Sequence, residues 1–181
     1  MDKAIELALV KRCQQGDRKA MELLLTDYEK PVYNAAFRML GNRDDAADVT
    51  QSAFMKAFEK IASFNSAHRF FSWIYRITMN EAIDQLQHRG RMQQVDVELV
   101  DENAAPQREV DASQVSDEIQ AALLELNDDH RAVIVLHYFS DCNYQQIAET
   151  LDIPEKTVKS RLFSARQQLK LRLARHGIFS L

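Results

Sequence analysis

Glycine spacing is the feature of this sequence that most restricts its fold. The chain of 181 residues contains only four glycines, and Gly16, Gly41, Gly90 and Gly177 each stand where a run of helical periodicity stops. Glycine destabilises helix interiors but is favoured at C-terminal caps, where the backbone turns into the left-handed region. The spacing therefore predicts an all-α chain whose helices end near the glycines.

Apolar residues between the glycines recur at helical spacing. One helix is predicted before Gly16, and a second runs up to Pro31, which is expected to begin another helix from Val32 to Leu40. The next helix carries Asp44 and Asp45 in its first turn, where carboxylates interact favourably with the helix dipole. The first part of the chain is thus predicted to be a bundle of amphipathic helices.

Charge is unevenly distributed along the chain, although its net value is only −4. Between Met92 and Gln120 the one base is Arg108, and the acids are Asp96, Glu98, Asp101, Glu102, Glu109, Asp111, Asp117 and Glu118. From Lys156 to Arg175 no acid occurs, and the bases are Lys156, Lys159, Arg161, Arg166, Lys170, Arg172 and Arg175. A basic C-terminal segment is compatible with nucleic-acid binding despite the acidic total.

The acidic stretch 92–114 shows no sustained period, and we interpret it as a linker between a domain at 1–91 and a domain at 115–176. Residues 177–181 form a tail. Within the second domain, the apolar run Val133–Leu136 could be a buried strand or part of a helix, and its helical neighbours favour the helix.

Several protein classes are disfavoured by what the sequence lacks. No apolar run is long enough to span a bilayer, so we expect a cytoplasmic protein without membrane insertion. Cys13 and Cys142 are too far apart for a disulfide framework or a zinc spacing, and idle thiols are favoured over a redox switch. No phosphate-binding glycine loop, nucleophile–base pair or metal-ligand spacing is present, so neither an enzyme nor a metal or other cofactor is expected.

The strongest local pattern lies between Asn143 and Val158. Asn143 can cap a helix while Gln146 bonds back to the cap amide, which is the capping-box pattern. Asp152 stands at a turn position that requires a left-handed backbone, which Asp tolerates better than most residues. The apolar residues that would fill the angle between two short helices are Ile147, Leu151, Ile153, Val158 and Leu162. Together these features predict a helix-turn-helix.

The second helix of this pair is predicted from Glu155 to about Leu173. If it lies in the DNA major groove, its N-terminal part faces base edges and its later bases reach phosphates. The base-facing candidates are Glu155, Lys156, Thr157, Lys159 and Ser160, and the phosphate-facing candidates are Arg161 and Arg166. A solvated basic face is the alternative.

Three blocks of the chain resemble the sigma-70 family, specifically its extracytoplasmic-function group, which has only domains 2 and 4. DDAADVTQSAFMKAF (44–58) resembles the polymerase-binding segment, and FFSWIYRITMNEAID (70–84) resembles the segment that melts and reads the −10 element. Residues 144–169, with TVKSRL at their centre, resemble the −35 reader. The resemblance implies two small helical domains and an alternative sigma factor that directs promoter-specific initiation, in a stress or envelope response.

The resemblance also implies which residues act. Docking on the clamp helices of the largest subunit of core RNA polymerase is expected through Asp48, Gln51, Phe54 and Lys56. The residues expected to hold the unpaired −10 strand, around the start of a helix from Phe70 to about Gln87, are Phe64, Asn65, Ser66, Ala67, Trp73, Arg76, Asn80 and Arg89. Trp73 could equally be a core residue.

The expected partners are therefore core RNA polymerase, promoter DNA and an anti-sigma factor, through which the protein could be held at the inner membrane. The acidic linker could imitate nucleic acid in the polymerase channels or simply aid solubility. A dimeric helix-turn-helix repressor or activator is the alternative function, and it would bind a palindromic duplex without polymerase. A pure protein-binding module is disfavoured by the basic C-terminal helix.

Overall fold

The computed structural model describes residues 2–95 and 112–176, and the side chains of 91–95 and 112–115 are not considered. All regular structure in these ranges is helical, which confirms the all-α prediction. The helices are α1 (Lys3–Gln14), α2 (Arg18–Leu40), α3 (Arg43–Glu59), α4 (Phe70–Val95), α5 (Ala112–Leu124), α6 (Asp128–Ile134), α7 (Tyr144–Leu151) and α8 (Glu155–Arg175), with a 3₁₀ turn at Ile61–Ser63 and a π-helical turn at Val135–Phe139. None of them is long and apolar enough to cross a membrane.

The first domain comprises α1–α4, with α2 packed against the other three helices. Its core side chains include the fully buried Leu24, Val32, Met39, Ile74 and Met79. Polar side chains begin α2 and α3: Asp17 and Asn42 each accept hydrogen bonds from backbone amides in the first turn of the helix that follows. Asp44 and Asp45 occupy the first turn as predicted.

Two predicted helix ends are wrong. Pro31 lies inside α2 and does not start a new helix. Its side chain is exposed, and helices are commonly convex on their solvent side, so the helix can curve away from the proline ring. Gly90 likewise lies inside α4, which continues past Gln87 to Val95, since one helical glycine costs only about 1 kcal/mol. Gly177 lies outside the described residues.

The second domain comprises α5–α8 and contains the predicted helix-turn-helix as α7 and α8. The amide of Gln146 donates to Asn143 Oδ1 and the amide of Asn143 donates to Gln146 Oε1, both at 2.9 Å, so the capping box is confirmed. Asp152 has φ 55° and ψ 47°, the predicted left-handed turn. The run Val133–Leu136 is helical, passing from α6 into the π-helical turn.

The predicted linker is helical at both edges, because α4 and α5 extend into it. Its remainder at 96–111 lies outside the described residues, as does the tail 177–181, so the two interpretations of the acidic segment stay predictions. The boundaries of the two domains also stay predictions.

Arg131 joins the second domain to the first. Its side chain is 5% exposed, and its guanidinium donates to the carbonyl oxygens of Met39 at 2.6 Å and Leu123 at 3.0 Å, and at 2.8 Å to those of Leu124 and Leu126. Carbonyls at helix C-termini have no partner within their own helix, and a guanidinium has enough donors to serve several of them. Burial lowers the pKa of Arg131 from its ordinary value, with Asp128 opposing the shift.

The end of α2 also approaches the second domain closely. A Cβ atom on Gly41 would lie 2.5 Å from Leu124 Cδ1, and φ at Gly41 is 72°, so only glycine fits this position without a shift. One turn earlier, Arg38 donates to Gln120 Oε1 at 2.9 Å and lies 4.8 Å from the ring centre of Phe139. The two domains therefore share a closely fitted contact that contains both polar and apolar side chains.

Both cysteines are buried, Cys13 at 1% and Cys142 at 2% exposure. Desolvation raises the pKa of Cys13 and raises that of Cys142 to about 12, with smaller contributions from nearby aspartates. Because the thiolate is the reactive form, both thiols are poor nucleophiles in the folded chain.

We expect Arg131→Met to destabilise the chain by about 3 kcal/mol or more, because it leaves several buried carbonyls without a donor. Arg131→Lys should be intermediate, since an ammonium has fewer donors. Urea denaturation of the full chain measures the free energy of unfolding, with the exposed Arg175→Met as control, expected within about 0.5 kcal/mol of the parent. Equal stability of Arg131→Met and the parent would contradict this role.

We also expect neither thiol to react with an aromatic disulfide reagent at pH 8 while the chain is folded. With a pKa of about 12 for Cys142, only about one molecule in 10⁴ carries that thiolate at this pH. In urea both thiols should react within the same assay. Rapid labelling of either native thiol would instead support a redox switch.

Candidate nucleic-acid interface

A pocket of about 230 Å³ opens where the loop before α4 meets the first turns of that helix. Its lining residues are Ser63, Phe64, Asn65, His68, Ser72, Trp73, Arg76 and Glu149. Four predicted −10 residues, from the loop and from α4, are thus brought together around one opening. They are Phe64, Asn65, Trp73 and Arg76.

The other predicted −10 residues lie outside this lining. Ser66 and Ala67 are exposed on the same loop, where the amide of Ala67 donates to Asn65 Oδ1 at 2.9 Å. Asn80 is exposed about one turn beyond Arg76 on α4. Arg89 lies much further along that helix and forms an ion pair with Asp45, so this arginine already has an internal partner.

Trp73 combines the two roles that the sequence left open. Its ring centre lies 5.0 Å from that of Phe64 and 5.9 Å from that of Phe70, so one part of the indole packs on the domain core. The side chain is only partly buried, and it also lines the pocket. An aromatic surface fixed in this way can receive a planar ligand without rearranging.

The second domain contributes one residue, Glu149, to the lining of this pocket. Arg76 donates through Nε to the backbone oxygen of Glu149 on α7 at 3.1 Å, and through a terminal nitrogen to the same oxygen. Ser72 Oγ lies 3.5 Å from Glu149 Oε2. This contact could not be predicted from local sequence patterns, because the residues lie on separate domains.

The outward face of α8 carries the predicted base-reading residues. Val158, Leu162 and Ala165 are buried, and the opposite side exposes Lys156 and Ser160. Glu155 and Lys159 are also exposed, and Thr157 is half-buried. Sequence reasoning missed Phe163, which lies on the same outward face and is 65% exposed. Its helical spacing from Lys156 and Ser160 would have placed it on the same face of the helix.

The predicted phosphate contacts already have partners within the second domain. Arg161 forms an ion pair with Asp129 at 2.8 Å. Arg166 donates to the Tyr144 hydroxyl at 3.3 Å and lies 5.8 Å from the ring centre of Tyr138. The hydrogen bond to Tyr144 raises the pKa of Arg166 above its ordinary value, so its charge is fully retained.

A groove of about 650 Å³ lies between α2 and α3. Gln51 and Phe54, both predicted polymerase contacts, line it, while Asp48 is exposed nearby on α3 and Lys56 forms an ion pair with Glu81 at 3.0 Å. Sequence reasoning missed the contribution of α2, whose lining residues are Leu25, Glu29, Lys30 and Tyr33. Within the described ranges, no cluster of potential ligands is arranged to hold a metal ion.

Comparison with known proteins identifies both domains. Residues 24–92 match the family model for Sigma-70 region 2, and residues 116–169 match that for Sigma-70, region 4. The chain is 32% identical over 176 residues to the ECF RNA polymerase sigma factor SigW of Bacillus subtilis, covering 91% of this chain and 94% of the relative. It is 33% identical to the ECF RNA polymerase sigma-E factor of Haemophilus influenzae, covering 90% and 92%.

Two solved structures share the fold. CnrH in complex with the cytosolic domain of CnrY gives a TM-score of 0.73 at 21% identity, covering 94% of this chain and 98% of that one. The sigma factor RpoE in complex with the anti-sigma factor NepR from Bartonella quintana gives 0.69 at 28% identity, covering 86% and 98%. The chain belongs to the sigma-70 family and, within it, to the extracytoplasmic-function group of alternative sigma factors, which direct transcription initiation.

Proposed function

We propose that this sigma factor holds an unpaired −10 base in the pocket beside α4 and reads the −35 element with the outward face of α8. The observation that carries the first part is the meeting of Phe64, Asn65, Trp73 and Arg76 around one opening.

The chemistry of the pocket suits a flipped base. Phe64 and Trp73 provide aromatic surface on which a base can stack, and the Asn65 amide can both donate and accept hydrogen bonds at a base edge. Arg76 is close enough to offer its charge to the phosphate of the same strand. A base that leaves the duplex loses stacking energy, and these contacts would offset that loss.

The outward face of α8 suits the major groove. Lys156 can donate to guanine oxygen or nitrogen acceptors, and Ser160 can donate to or accept from several bases. Phe163 can pack against a thymine methyl group, and such apolar contacts discriminate between bases. Arg161 and Arg166 are close enough along the helix to reach the flanking phosphates once Asp129 and Tyr144 are exchanged for them.

The groove between α2 and α3 is the proposed docking site for a helix of core polymerase. Its walls are mostly apolar, and the exposed acid Asp48 lies beside it, so an amphipathic helix with basic flanks fits. Since RpoE is solved in complex with the anti-sigma factor NepR, we extend binding by an anti-sigma factor to this chain. The protein would then act as a cytoplasmic initiation factor without catalytic activity, held at the membrane only through that partner.

The contact between the domains must break for this function. Arg76 touches Glu149, and even a fully extended chain would put Glu155 no more than about 22 Å beyond that contact. The −10 and −35 elements are separated by about 25 base pairs, or about 85 Å of duplex. The closed arrangement therefore cannot engage both elements, and α7 must leave α4 when the promoter is bound.

Run-off transcription from a genomic fragment library, by core polymerase with and without this protein, tests the proposal. New start sites preceded by shared −10 and −35 elements would support it. An absence of core-dependent starts, together with tight palindromic duplex binding by the protein alone, would favour the dimeric repressor or activator.

We expect Lys156→Ala and Phe163→Ala each to weaken holoenzyme binding to the −35 duplex by about 10- to 100-fold and to relax base preference at one position. The exposed Lys170→Ala serves as control, with a smaller loss that is equal on all duplexes. Competition binding with single-base variants of the −35 duplex measures both effects. An equal loss on all duplexes for Lys156→Ala would assign that residue to a phosphate instead.

We expect energy transfer between dyes at Asp84→Cys on α4 and Gln145→Cys on α7 to be high in the free protein and to fall in the promoter complex. Both positions are exposed, so labelling should not disturb the core. A pair at Gln145→Cys and Gln167→Cys, within the second domain, should not change. High transfer that persists in a transcribing complex would contradict domain separation.

A further inference from the structure

Helix α1 is bonded to both ends of the loop that forms the −10 pocket. The loop follows the 3₁₀ turn at Ile61–Ser63 and ends at Phe70, the first residue of α4. Between these points the side chains of residues 65–68 are exposed, so little packing holds that stretch in place. A local turn, in which the amides of Ala67 and His68 donate to Asn65, shapes this stretch, and its position on the domain depends on what fixes its two ends.

Gln14, on the last turn of α1, holds the beginning of the loop. Its amide nitrogen donates to the backbone oxygen of Ile61 at 3.1 Å and to that of Phe64 at 3.0 Å. An amide nitrogen has two donors, so these bonds use its full capacity. Phe64 lines the pocket, and its ring centre lies 5.0 Å from that of Trp73. The hydrogen bond from Gln14 to the Phe64 backbone therefore helps to position the Phe64 ring.

Glu6, two turns earlier on α1, holds the end of the loop. Its side chain is buried, and Oε1 accepts a hydrogen bond from the amide of Phe70 at 3.1 Å. The amide of Phe70 has no acceptor within its own helix, so Glu6 serves as a cap supplied from another helix. Tyr28 donates to the other carboxylate oxygen, and Arg69 lies 3.6 Å away, so the buried charge is compensated.

We propose that Gln14 and Glu6 are positioning residues for −10 recognition, which they support by fixing both ends of the base-binding loop. This inference rests on the proposed function of the pocket. It concerns a part of the chain that precedes residue 24, where the match to Sigma-70 region 2 begins. Neither residue lines the pocket, so both act through the loop.

The physical reason is that a site discriminates between ligands only if its groups are held in place by their surroundings. A loop with a free end can still contact a base, but it samples positions that suit other bases as well. Loss of Gln14 should therefore reduce discrimination between bases at the flipped position, with only a small effect on the stability of the folded protein.

Gln14→Met tests the role of Gln14, because methionine has a similar length and no donor. Gln14→Lys keeps a donor at the end of a long side chain and should recover most of the loss. Gln15→Met, at the exposed neighbouring position, is the matched control. Holoenzyme made with each variant is titrated with a single-stranded −10 oligonucleotide taken from the mapped promoters, and with the same oligonucleotide carrying a different base at the flipped position.

We expect Gln14→Met to lower the preference for the native base about ten-fold, the loss expected for about one hydrogen bond. Affinity for core polymerase and for the −35 duplex should stay at parent values, and Gln14→Lys should restore most of the preference. Glu6→Gln, which keeps an acceptor for the Phe70 amide, should retain more preference than Glu6→Leu.

An unchanged preference for the native base in Gln14→Met would overturn the inference. An equal loss of affinity for core polymerase, the −35 duplex and the −10 oligonucleotide would also overturn it, because that result indicates a purely structural role. Phe64→Ala and Asn65→Ala separate this result from failure of the pocket itself. If they also leave base preference unchanged, the pocket assignment is wrong. If they abolish it while Gln14→Met does not, only the positioning role is wrong.

Discussion

The arrangement of this protein depends on backbone carbonyls at the ends of two helices that have no partner within those helices. Arg131 supplies donors to the ends of α2 and α5 at once, and it is buried where it does so. Because one planar guanidinium makes these bonds, the second domain takes a defined orientation on the first. Gly41 allows the close approach that this orientation requires. The contact of α7 with α4 is compatible with that orientation, and it brings Glu149 over the pocket.

In this structure the proposed DNA-binding surfaces are formed, but the two domains are not arranged to bind a promoter. The pocket is already formed, with its aromatic wall packed and its loop bonded at both ends, but Glu149 of the second domain, which carries the proposed −35-reading helix, forms part of its lining. A sigma factor in this state should have little affinity for promoters alone. Core polymerase, by engaging the groove between α2 and α3 and separating the domains, would expose surfaces that need no further folding. Opening would break the bonds of Arg131 to Met39 and of Arg76 to Glu149 and would expose apolar surface, because buried apolar residues of both domains form one cluster. Binding to core polymerase would have to offset this cost.

Sequence reasoning succeeded where the determining interactions are local. The capping box at Asn143 and the left-handed turn at Asp152 involve residues within a few positions of each other, so their pattern is readable. The residues of the pocket could be predicted only from the family resemblance, because tertiary packing brings them together. Gln14, Glu149 and Arg131 act on distant segments, and no periodicity marks them. Pro31 misled the prediction because exposure on one helix face, which decides whether a proline is tolerated, depends on the packing of the other helices.

The most direct test of this account is a structure of the holoenzyme bound to a promoter with an open −10 region. The account predicts an unpaired base between Phe64, Asn65 and Trp73, the N-terminal half of α8 in the major groove of the upstream duplex, and α7 far from α4. It also predicts a polymerase helix in the groove that contains Gln51 and Phe54. A complex in which Glu149 still lines the pocket, or in which the unpaired strand follows another surface, would contradict the proposed role of this pocket in promoter opening.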